Sequence, residues 1–269
     1  MKYALTHCYT DHNKGDAAII IATTQLIRKC DDSATISMFS TFGPNDEKFK
    51  KEHEYVGQFS DSIYPGMFYQ PQPVISNNDA SRLFHFAWIT LKFVMLLVSK
   101  NERFLSIFFT KYELKGITVF LTSDMIISKG GSYITAQNTS LRQCLSLVTM
   151  LYPFLLAKRY KKKMVIFSQS LGPVKGRFNR WLTRFSLSSL SKIYLREDVC
   201  LKEYEEISEL KEIVPISVIP DSAFYLISKN IKRSSQVQFN KSKLNIGMTL
   251  VDHAFKYIGS EKVKSEKIA

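Results

Sequence analysis

Short apolar runs alternate with longer stretches of helical periodicity along most of the chain. The apolar runs predict strands at Tyr3–Tyr9, Ala34–Phe39, Asp61–Tyr64, Met125–Ser128, Met164–Ser168, Ile193–Leu195 and Ile216–Ile219. The periodic stretches predict helices at Asp16–Lys29, Asp79–Ser99, Ser140–Tyr160, Arg177–Ser191 and Glu197–Leu210. Strands that alternate with helices are typical of βαβ units. The pattern therefore predicts an α/β fold with an open, mainly parallel sheet flanked by helices.

The alternation ends near residue 228, and this predicts a domain boundary. Residues 1–228 read as one complete α/β domain. Residues 229–243 are polar and basic without periodicity, which is typical of a linker. A new apolar run at Leu244–Val251 predicts that residues 244–269 are the truncated start of a second α/β domain.

Composition and charge describe a globular protein with a basic surface. Of the 269 residues, 45% are apolar and 23% are charged, and the formal net charge is +13. A basic surface attracts anions, of which three kinds fit: nucleic acid, acidic lipid head groups, and small phosphorylated or carboxylated substrates. Nucleic acid is not favoured, because no recognisable module of aromatic and basic residues is present.

The cysteines and histidines do not predict a metal site. Cys8, Cys30, Cys144 and Cys200 lie far apart without a C-x-x-C pair, which argues against zinc and against a disulfide framework. We expect buried thiols in a reducing compartment. The five histidines also lack metal-ligand spacing, so no metal is predicted.

The apolar segments are too short to predict a membrane span. Gln143–Ala157 and Phe84–Val98 each fall short of the about 20 apolar residues that cross a bilayer, so we expect buried or interfacial helices there. The N-terminal residues lack the apolar core of a secretory signal. The sequence therefore predicts a cytoplasmic protein.

The helix at Arg177–Ser191 carries an apolar face made of Phe178, Trp181, Leu182 and Phe185.

A basic cluster follows the apolar helix that ends near Tyr160. It consists of Lys158, Arg159 and Lys161–Lys163. Such a cluster is most often a solvated helix end. The alternative is contact with an acidic membrane surface, which would place the protein at the inner face of the membrane.

The loop between the first strand and the first helix contains Asn13, Gly15 and Asp16. Ligands of open parallel sheets bind beyond the carboxyl ends of the strands, where such loops lie. Gly15 could adopt a positive φ, and the free N–H groups at the start of the helix favour an anion. The alternative is an ordinary helix start, with Asp16 as the N-cap and Asn13 as a turn former.

Four more polar loops follow predicted strands. They contain Gly130, Gly131 and Ser132; Gln169 and Ser170; Arg196 and Glu197; and Asp221. Paired glycines allow close approach of the backbone to a ligand. An arginine side chain can bind a carboxylate or phosphate through its planar fork, although an internal salt bridge with a nearby carboxylate is equally open. Five polar loops at strand ends predict a ligand site at this edge of the sheet.

Five short motifs occur in the order N-x-G-D, G-G-S, S-Q-S-L-G-P, L-R-E and P-D-S-A-F. In this order they resemble the polysaccharide pyruvyl transferase family, over residues 3–250. The resemblance implies a Rossmann-like domain equivalent to the N-terminal half of a two-domain glycosyltransferase B fold. It also implies transfer of the enolpyruvyl group of phosphoenolpyruvate to a sugar of a cell-surface polysaccharide or its lipid-linked precursor. The product is a ketal, and no cofactor is required beyond the donor substrate.

The resemblance also implies roles for individual residues. Asp16 would perform acid–base chemistry, and Arg196 would bind the anionic donor. Residues implied to bind substrate are Asn13, Gly15, Gly130, Gly131, Ser132, Gln169, Ser170, Glu197 and Asp221.

The sequence departs from the family pattern after Ile246–Thr249, where a second domain begins. Family members place an Arg and a His for phosphoenolpyruvate in that domain, and His253 lies too early to be equated with that His. Three interpretations stay open. The chain is a truncated enzyme of weak or no activity, it is a non-catalytic remnant or one subunit of a split enzyme whose partner chain supplies the rest, or it is a glycosyltransferase that uses a nucleotide sugar.

Overall fold

One open sheet of parallel strands organises the part of the chain that the computed structural model describes, which is residues 1–44, 48–66, 79–99, 101–206 and 210–226. The strands are β1 (Lys2–Cys8), β2 (Thr35–Ser40), β3 (Ser62–Tyr64), β4 (Met125–Ser128), β5 (Met164–Gln169), β6 (Lys192–Leu195) and β7 (Ile216–Val218). Their order in the sheet is β3-β2-β1-β4-β5-β6-β7, and every neighbouring pair is parallel. The predicted fold class is confirmed.

Helices connect these strands and cover both faces of the sheet. They are α1 (Lys14–Cys30), α2 (Lys48–Lys51), α3 (Asp79–Val98), α4 (Glu102–Leu105), α5 (Lys111–Thr122), α6 (Leu141–Arg159), α7 (Arg177–Leu187), α8 (Val199–Glu206) and α9 (Leu210–Ile213), with a 3-10 turn at Val56–Phe59. The helices predicted from periodicity are present, and the short helices α2, α4 and α9 and the longer α5 are additional to the prediction.

Side-chain alternation along the strands divides the core into two clusters. In β1, Ala4 and Leu5 are both fully buried, but Ala4 packs in one cluster and Leu5 in the other. Ile126 and Ile127 of β4 divide in the same way. The larger cluster includes residues from α3, α5 and α6, and the smaller includes residues from α1. Period-two alternation with apolar residues on both faces is the pattern of a sheet covered on both sides.

The strand order reverses its direction between β1 and β4. From β1 the chain builds outward through β2 to β3, and then returns to add β4 on the other side of β1. This reversal leaves a crevice at the carboxyl ends of the two strands, which is where open α/β sheets bind ligands. The first two predicted polar loops follow these two strands.

The described residues belong to the compact unit Met1–Asn230. The predicted linker at 229–243 and the predicted second-domain start at 244–269 lie outside them. Within the described part of the chain, no helix combines the length and apolar character needed to cross a membrane. The four cysteines are free thiols; the expected burial is confirmed for Cys8 and Cys200 and wrong for Cys30, which is exposed at the end of α1.

Candidate functional site

The five predicted polar loops lie at the carboxyl ends of five strands that are neighbours in the sheet. These strands are β1, β4, β5, β6 and β7. Hydrogen bonds and ion pairs between side chains or backbone join each loop to the next. The structure therefore brings the predicted site residues to one edge of the sheet.

Asn13 is the N-cap of α1. Its Oδ1 accepts hydrogen bonds from the backbone N–H groups of Gly15 (3.1 Å) and Asp16 (3.3 Å). The expectation that Asp16 is the N-cap is wrong, because Asp16 lies inside the first turn, where its negative charge favours the helix dipole. The expectation that Gly15 adopts a positive φ is also wrong. Gly15 is helical, and a Cβ there would lie 3.3 Å from Asn13 Oδ1.

Asp16 joins the first loop to the second through an ion pair with Lys129. Lys129 Nζ contacts Asp16 Oδ1, and Asn13 Nδ2 donates to Asp16 Oδ2 at 2.7 Å. Lys129 is almost completely buried, whereas the side chain of Asp16 is 18% exposed. A buried ammonium group requires a partner, and Asp16 provides it. The prediction did not assign a role to Lys129, although a lysine directly after an apolar strand was the available signal.

Gly130 and Gly131 allow the second and third loops to approach each other. A Cβ on Gly130 would lie 2.4 Å from the backbone oxygen of Ser168, and Gly131 has a φ of +151°. The N–H of Ser170 donates to Gly131 O at 2.8 Å. The glycines therefore serve close backbone packing between these loops, and Ser132 beside them is exposed.

Gln169 is fully buried at the end of β5. Within the described residues, neither its Oε1 nor its Nε2 has a hydrogen-bond partner. Its backbone oxygen accepts from the N–H of Arg196 at 3.1 Å, which fixes the position of the fourth loop. An unpaired buried amide is costly, and a water molecule or a bound ligand would satisfy it.

Arg196 joins the third, fourth and fifth loops. Its Nη1 donates to Asp221 Oδ2 at 2.6 Å, and its Nε donates to Ser170 Oγ. Glu197 Oε1 lies 3.4 Å from the same Nε. The internal salt bridge foreseen for Arg196 is thus present with both carboxylates. Because Arg196 and Asp221 remain 22% and 20% exposed, the guanidinium group still reaches solvent.

His7 is buried beneath these loops and was not predicted as part of the site. Its Nδ1 lies 3.0 Å from Thr6 Oγ1 and 3.1 Å from Ser128 Oγ, and its Nε2 lies 3.0 Å from the backbone oxygen of Met150. The ring stacks on Tyr133, with 4.4 Å between centroids. Burial lowers the pKa of His7 to about 4, and the nearby Lys129 charge acts in the same direction.

A cavity of about 30 Å³ adjoins His7, which is enough for at least one water molecule. Its walls are Thr6, His7, Phe39, Ser40, Thr41, Gly66, Thr149, Met150 and Pro153. The described residues contain no group of three or more His, Cys, Asp or Glu placed to hold a metal ion.

The buried His7 predicts an acid-sensitive fold. The unfolded chain binds a proton at this residue below pH 6.5, whereas the folded protein does so only near pH 4. The unfolded state therefore holds more protons in this window, and we expect the free energy of unfolding to fall by up to about 3 kcal/mol as pH drops through it. Denaturant titrations between pH 4 and 7 measure this loss.

The matched variants are His7→Asn and His12→Asn. Asparagine tolerates the positive φ of 63° at residue 7 and does not titrate, so this variant should flatten the pH dependence. His12 has a side chain 78% exposed, and its variant should leave the dependence unchanged. Equal slopes in the wild type and His7→Asn would contradict the prediction.

Solved structures of similar fold are distant and longer than this chain. A Listeria monocytogenes protein described as a UDP-N-acetylglucosamine 2-epimerase aligns at 10% identity with a TM-score of 0.42. The alignment covers 79% of this chain and 44% of that protein. HepE of Anabaena, solved with UDP and glucose, aligns at 13% identity with a TM-score of 0.42, covering 82% of this chain and 44% of HepE. The chain thus spans less than half the length of these proteins.

No curated protein matches the sequence significantly. The polysaccharide pyruvyl transferase family model, in contrast, matches residues 13–265. This match begins at the N-cap of α1 and includes every predicted site residue. The chain belongs to the polysaccharide pyruvyl transferase family.

Proposed function

We propose that this chain transfers the pyruvyl group of phosphoenolpyruvate to a sugar of a cell-surface polysaccharide or its lipid-linked precursor. Family membership supports a transferase of this type. The observation that carries the proposal is the continuous polar network from Asp16 and Lys129 to Arg196 and Asp221, at the carboxyl ends of neighbouring strands. This edge of an open parallel sheet is the expected place for a ligand.

The reaction requires proton transfers and stabilisation of an anion. A proton adds to the methylene carbon of phosphoenolpyruvate, giving a methyl group, while one sugar hydroxyl bonds to the adjacent carbon. The bond from that carbon to the phosphate oxygen then breaks, and a second hydroxyl takes the place of the phosphate to complete the ketal. The two hydroxyl protons balance the proton added to carbon and the proton taken by phosphate. Positioned acids, bases and cations accelerate such steps.

Asp16 is suited to receive a proton from a sugar hydroxyl. Its carboxylate is oriented by Lys129 and Asn13, and its side chain is partly exposed at the crevice. A carboxylate retains acceptor lone pairs beyond the two contacts, so a hydroxyl can still donate to it. Lys129 acts as a positioning residue, since it is buried behind Asp16.

Arg196 is suited to bind the carboxylate or phosphate of the donor. Its contacts with Ser170 and Asp221 use two of the five N–H donors of the guanidinium group. The remaining donors are available to an anion at the partly exposed end of the side chain.

Calorimetric titration of the full chain with phosphoenolpyruvate tests the proposal, with UDP-glucose as the competing ligand. We expect phosphoenolpyruvate to bind and UDP-glucose not to bind. Replacing Arg196 with alanine should weaken phosphoenolpyruvate binding by about ten- to hundredfold, because hydrogen bonds to a charged ligand are lost. The affinity of Arg196→Lys should lie between those of the wild type and Arg196→Ala, since lysine keeps the charge but lacks the planar guanidinium group.

Arg103→Ala is the matched control, because Arg103 is an exposed residue of α4 away from the strand ends. Its affinity for phosphoenolpyruvate should equal that of the wild type. Binding of UDP-glucose alone would reassign the chain to nucleotide-sugar chemistry, and absence of phosphoenolpyruvate binding would overturn the proposal.

A further inference from the structure

Helix α7 has its polar and aromatic faces reversed relative to an ordinary surface helix. The buried residues of α7 are mostly polar: Asn179, Thr183, Ser186 and Leu187. In contrast, Phe178 is 59%, Trp181 57% and Phe185 46% exposed. A surface helix normally turns its apolar stripe toward the core. Three residues of the predicted apolar face, Phe178, Trp181 and Phe185, therefore face outward, whereas Leu182 packs against the core.

The three exposed rings form a continuous stripe, which we call the α7 stripe (Phe178, Trp181 and Phe185). The Phe178 and Trp181 ring centroids are 6.0 Å apart, and the Trp181 and Phe185 rings stack at 5.7 Å with an interplanar angle of 13°. Spacings of three and four residues place such side chains on one face of a helix. Contiguous exposed apolar surface of this kind marks an interaction site.

Basic residues surround the α7 stripe. Lys175 and Arg177 are exposed at the start of the helix. At its other end, Lys158 Nζ lies 3.5 Å from the centroid of the Phe185 ring and donates to the backbone oxygen of Phe185 at 2.7 Å. The sequence contains no Asp or Glu between Asp124 and Glu197, although Lys and Arg recur throughout this segment. The face around the stripe is thus positively charged.

A second apolar stripe lies on α3, on the other side of α6. Its exposed members include Phe84, Trp88, Leu91 and Val98. The basic end of α6 contacts both helices, because Arg159 Nε donates to Leu97 O of α3 at 3.2 Å while Lys158 binds α7. The cationic end of α6 therefore lies between two helices that carry exposed apolar side chains.

We propose that the α7 stripe docks this protein onto an anionic lipid bilayer. Phe and Trp rings inserted at head-group depth, with Lys and Arg beside them, are the features by which helices lie in a membrane interface. The positive charges of Lys158, Lys175 and Arg177 complement acidic head groups. The loop of Gln169 and Ser170 leads into α7, so docking brings the candidate site near a lipid-linked sugar. The surface does not depend on the reaction proposed above.

Cosedimentation of the full chain with vesicles tests this proposal. The probes are vesicles of phosphatidylcholine alone and of phosphatidylcholine mixed with phosphatidylglycerol. We expect binding to the mixed vesicles that weakens as salt rises, and little binding to the neutral ones. The triple variant Phe178→Ser, Trp181→Ser, Phe185→Ser should lose at least about tenfold in vesicle affinity, because the buried apolar area is removed.

Fluorescence gives an independent measurement of insertion. The chain has two Trp residues, so a Trp88→Phe variant leaves Trp181 as the reporter. Its emission should shift to shorter wavelength with the mixed vesicles. Phe224→Ser is the matched control, because Phe224 is 61% exposed and lies outside α7. It should keep wild-type vesicle affinity.

The removed rings are exposed, so the triple variant should unfold at the wild-type temperature and keep the affinity for phosphoenolpyruvate. Failure of the wild type to bind mixed vesicles, or equal binding by the triple variant, would overturn the proposal. Light scattering tests the alternative that the α7 stripe contacts a second copy of this chain. If the wild type is a dimer and the triple variant a monomer, the stripe belongs to an interface between two copies and the proposal is wrong.

Discussion

Replacing Asp16 with asparagine is expected to slow phosphate release from phosphoenolpyruvate by about a hundredfold or more, because a positioned proton acceptor contributes that much to a proton transfer. Asparagine has nearly the same shape, and its side-chain oxygen can still accept from Lys129 Nζ, but its NH2 group cannot accept from Asn13 Nδ2, and the amide cannot take up a proton. The measurement is phosphate release by the full chain, with lipid-linked oligosaccharides extracted from the cells that encode it as the acceptor.

The design must separate loss of chemistry from loss of structure. Asp16→Asn leaves the buried Lys129 ammonium with a neutral partner, so its free energy of unfolding has to be measured beside its activity. Asp32→Asn is the matched control, because Asp32 is exposed in the turn between α1 and β2, at the opposite edge of the sheet. Phosphoenolpyruvate affinity should be retained in both variants. An Asp16→Asn chain that releases phosphate at the wild-type rate would remove Asp16 from the reaction.

Hydrophobic alternation was sufficient to predict the sheet and the edge at which the site lies. Each of the seven strands predicted within residues 1–228 is present within a few residues of its expected bounds, and all seven are parallel. Parallel strands place their carboxyl ends together, so polar loops that follow several strands must converge. The contacts of Arg196 with Ser170 and Asp221, which come from three different loops, are the result.

Helix α5 shows where local pattern is insufficient. Its sequence contains Gly116 and several β-branched residues, which lower helix propensity. The helix is present because Thr110 and Glu113 form a capping box and because Gly116 packs against Tyr64, where a Cβ would lie 3.3 Å from that side chain. The capping box was visible in the sequence, but the packing contact was not.

The partners of buried charges were also beyond the sequence. Nothing local indicates that Lys129 pairs with Asp16, which is distant in the chain, or that Lys92 is buried inside an apolar helix. The outward direction of Phe178, Trp181 and Phe185 could not be predicted from the sequence either. Periodicity predicts that side chains share a face, but the packing of α7 on its neighbours decides which face is buried.

Replacing Lys92 with methionine is expected to lower the free energy of unfolding by about 3–5 kcal/mol, the usual cost of removing one partner from a buried ion pair. Lys92 Nζ lies 2.7 Å from Glu113 Oε1, and the two side chains are only 6% and 1% exposed. Methionine fills the space of the lysine stem but leaves the Glu113 carboxylate charged and buried. The substitution also removes the cation–π contact of Lys92 Nζ with Phe109, in which Nζ lies 4.9 Å from the ring centroid. Denaturant unfolding measures the change.

A second substitution at the same pair identifies charge burial as the cause. Glu113→Gln keeps an oxygen for the capping box with Thr110 while removing the charge, so the double variant Lys92→Met, Glu113→Gln should recover part of the lost stability. Arg28→Met provides the comparison at an exposed ion pair, because Arg28 and Asp61 lie 3.3 Å apart and are 42% and 45% exposed. This variant should lower the free energy of unfolding by at most about 1 kcal/mol. Equal losses for Lys92→Met and Arg28→Met would show that burial adds nothing to the α3–α5 pair. A double variant as unstable as Lys92→Met would attribute the loss to packing, because in that variant no unpaired charge remains buried.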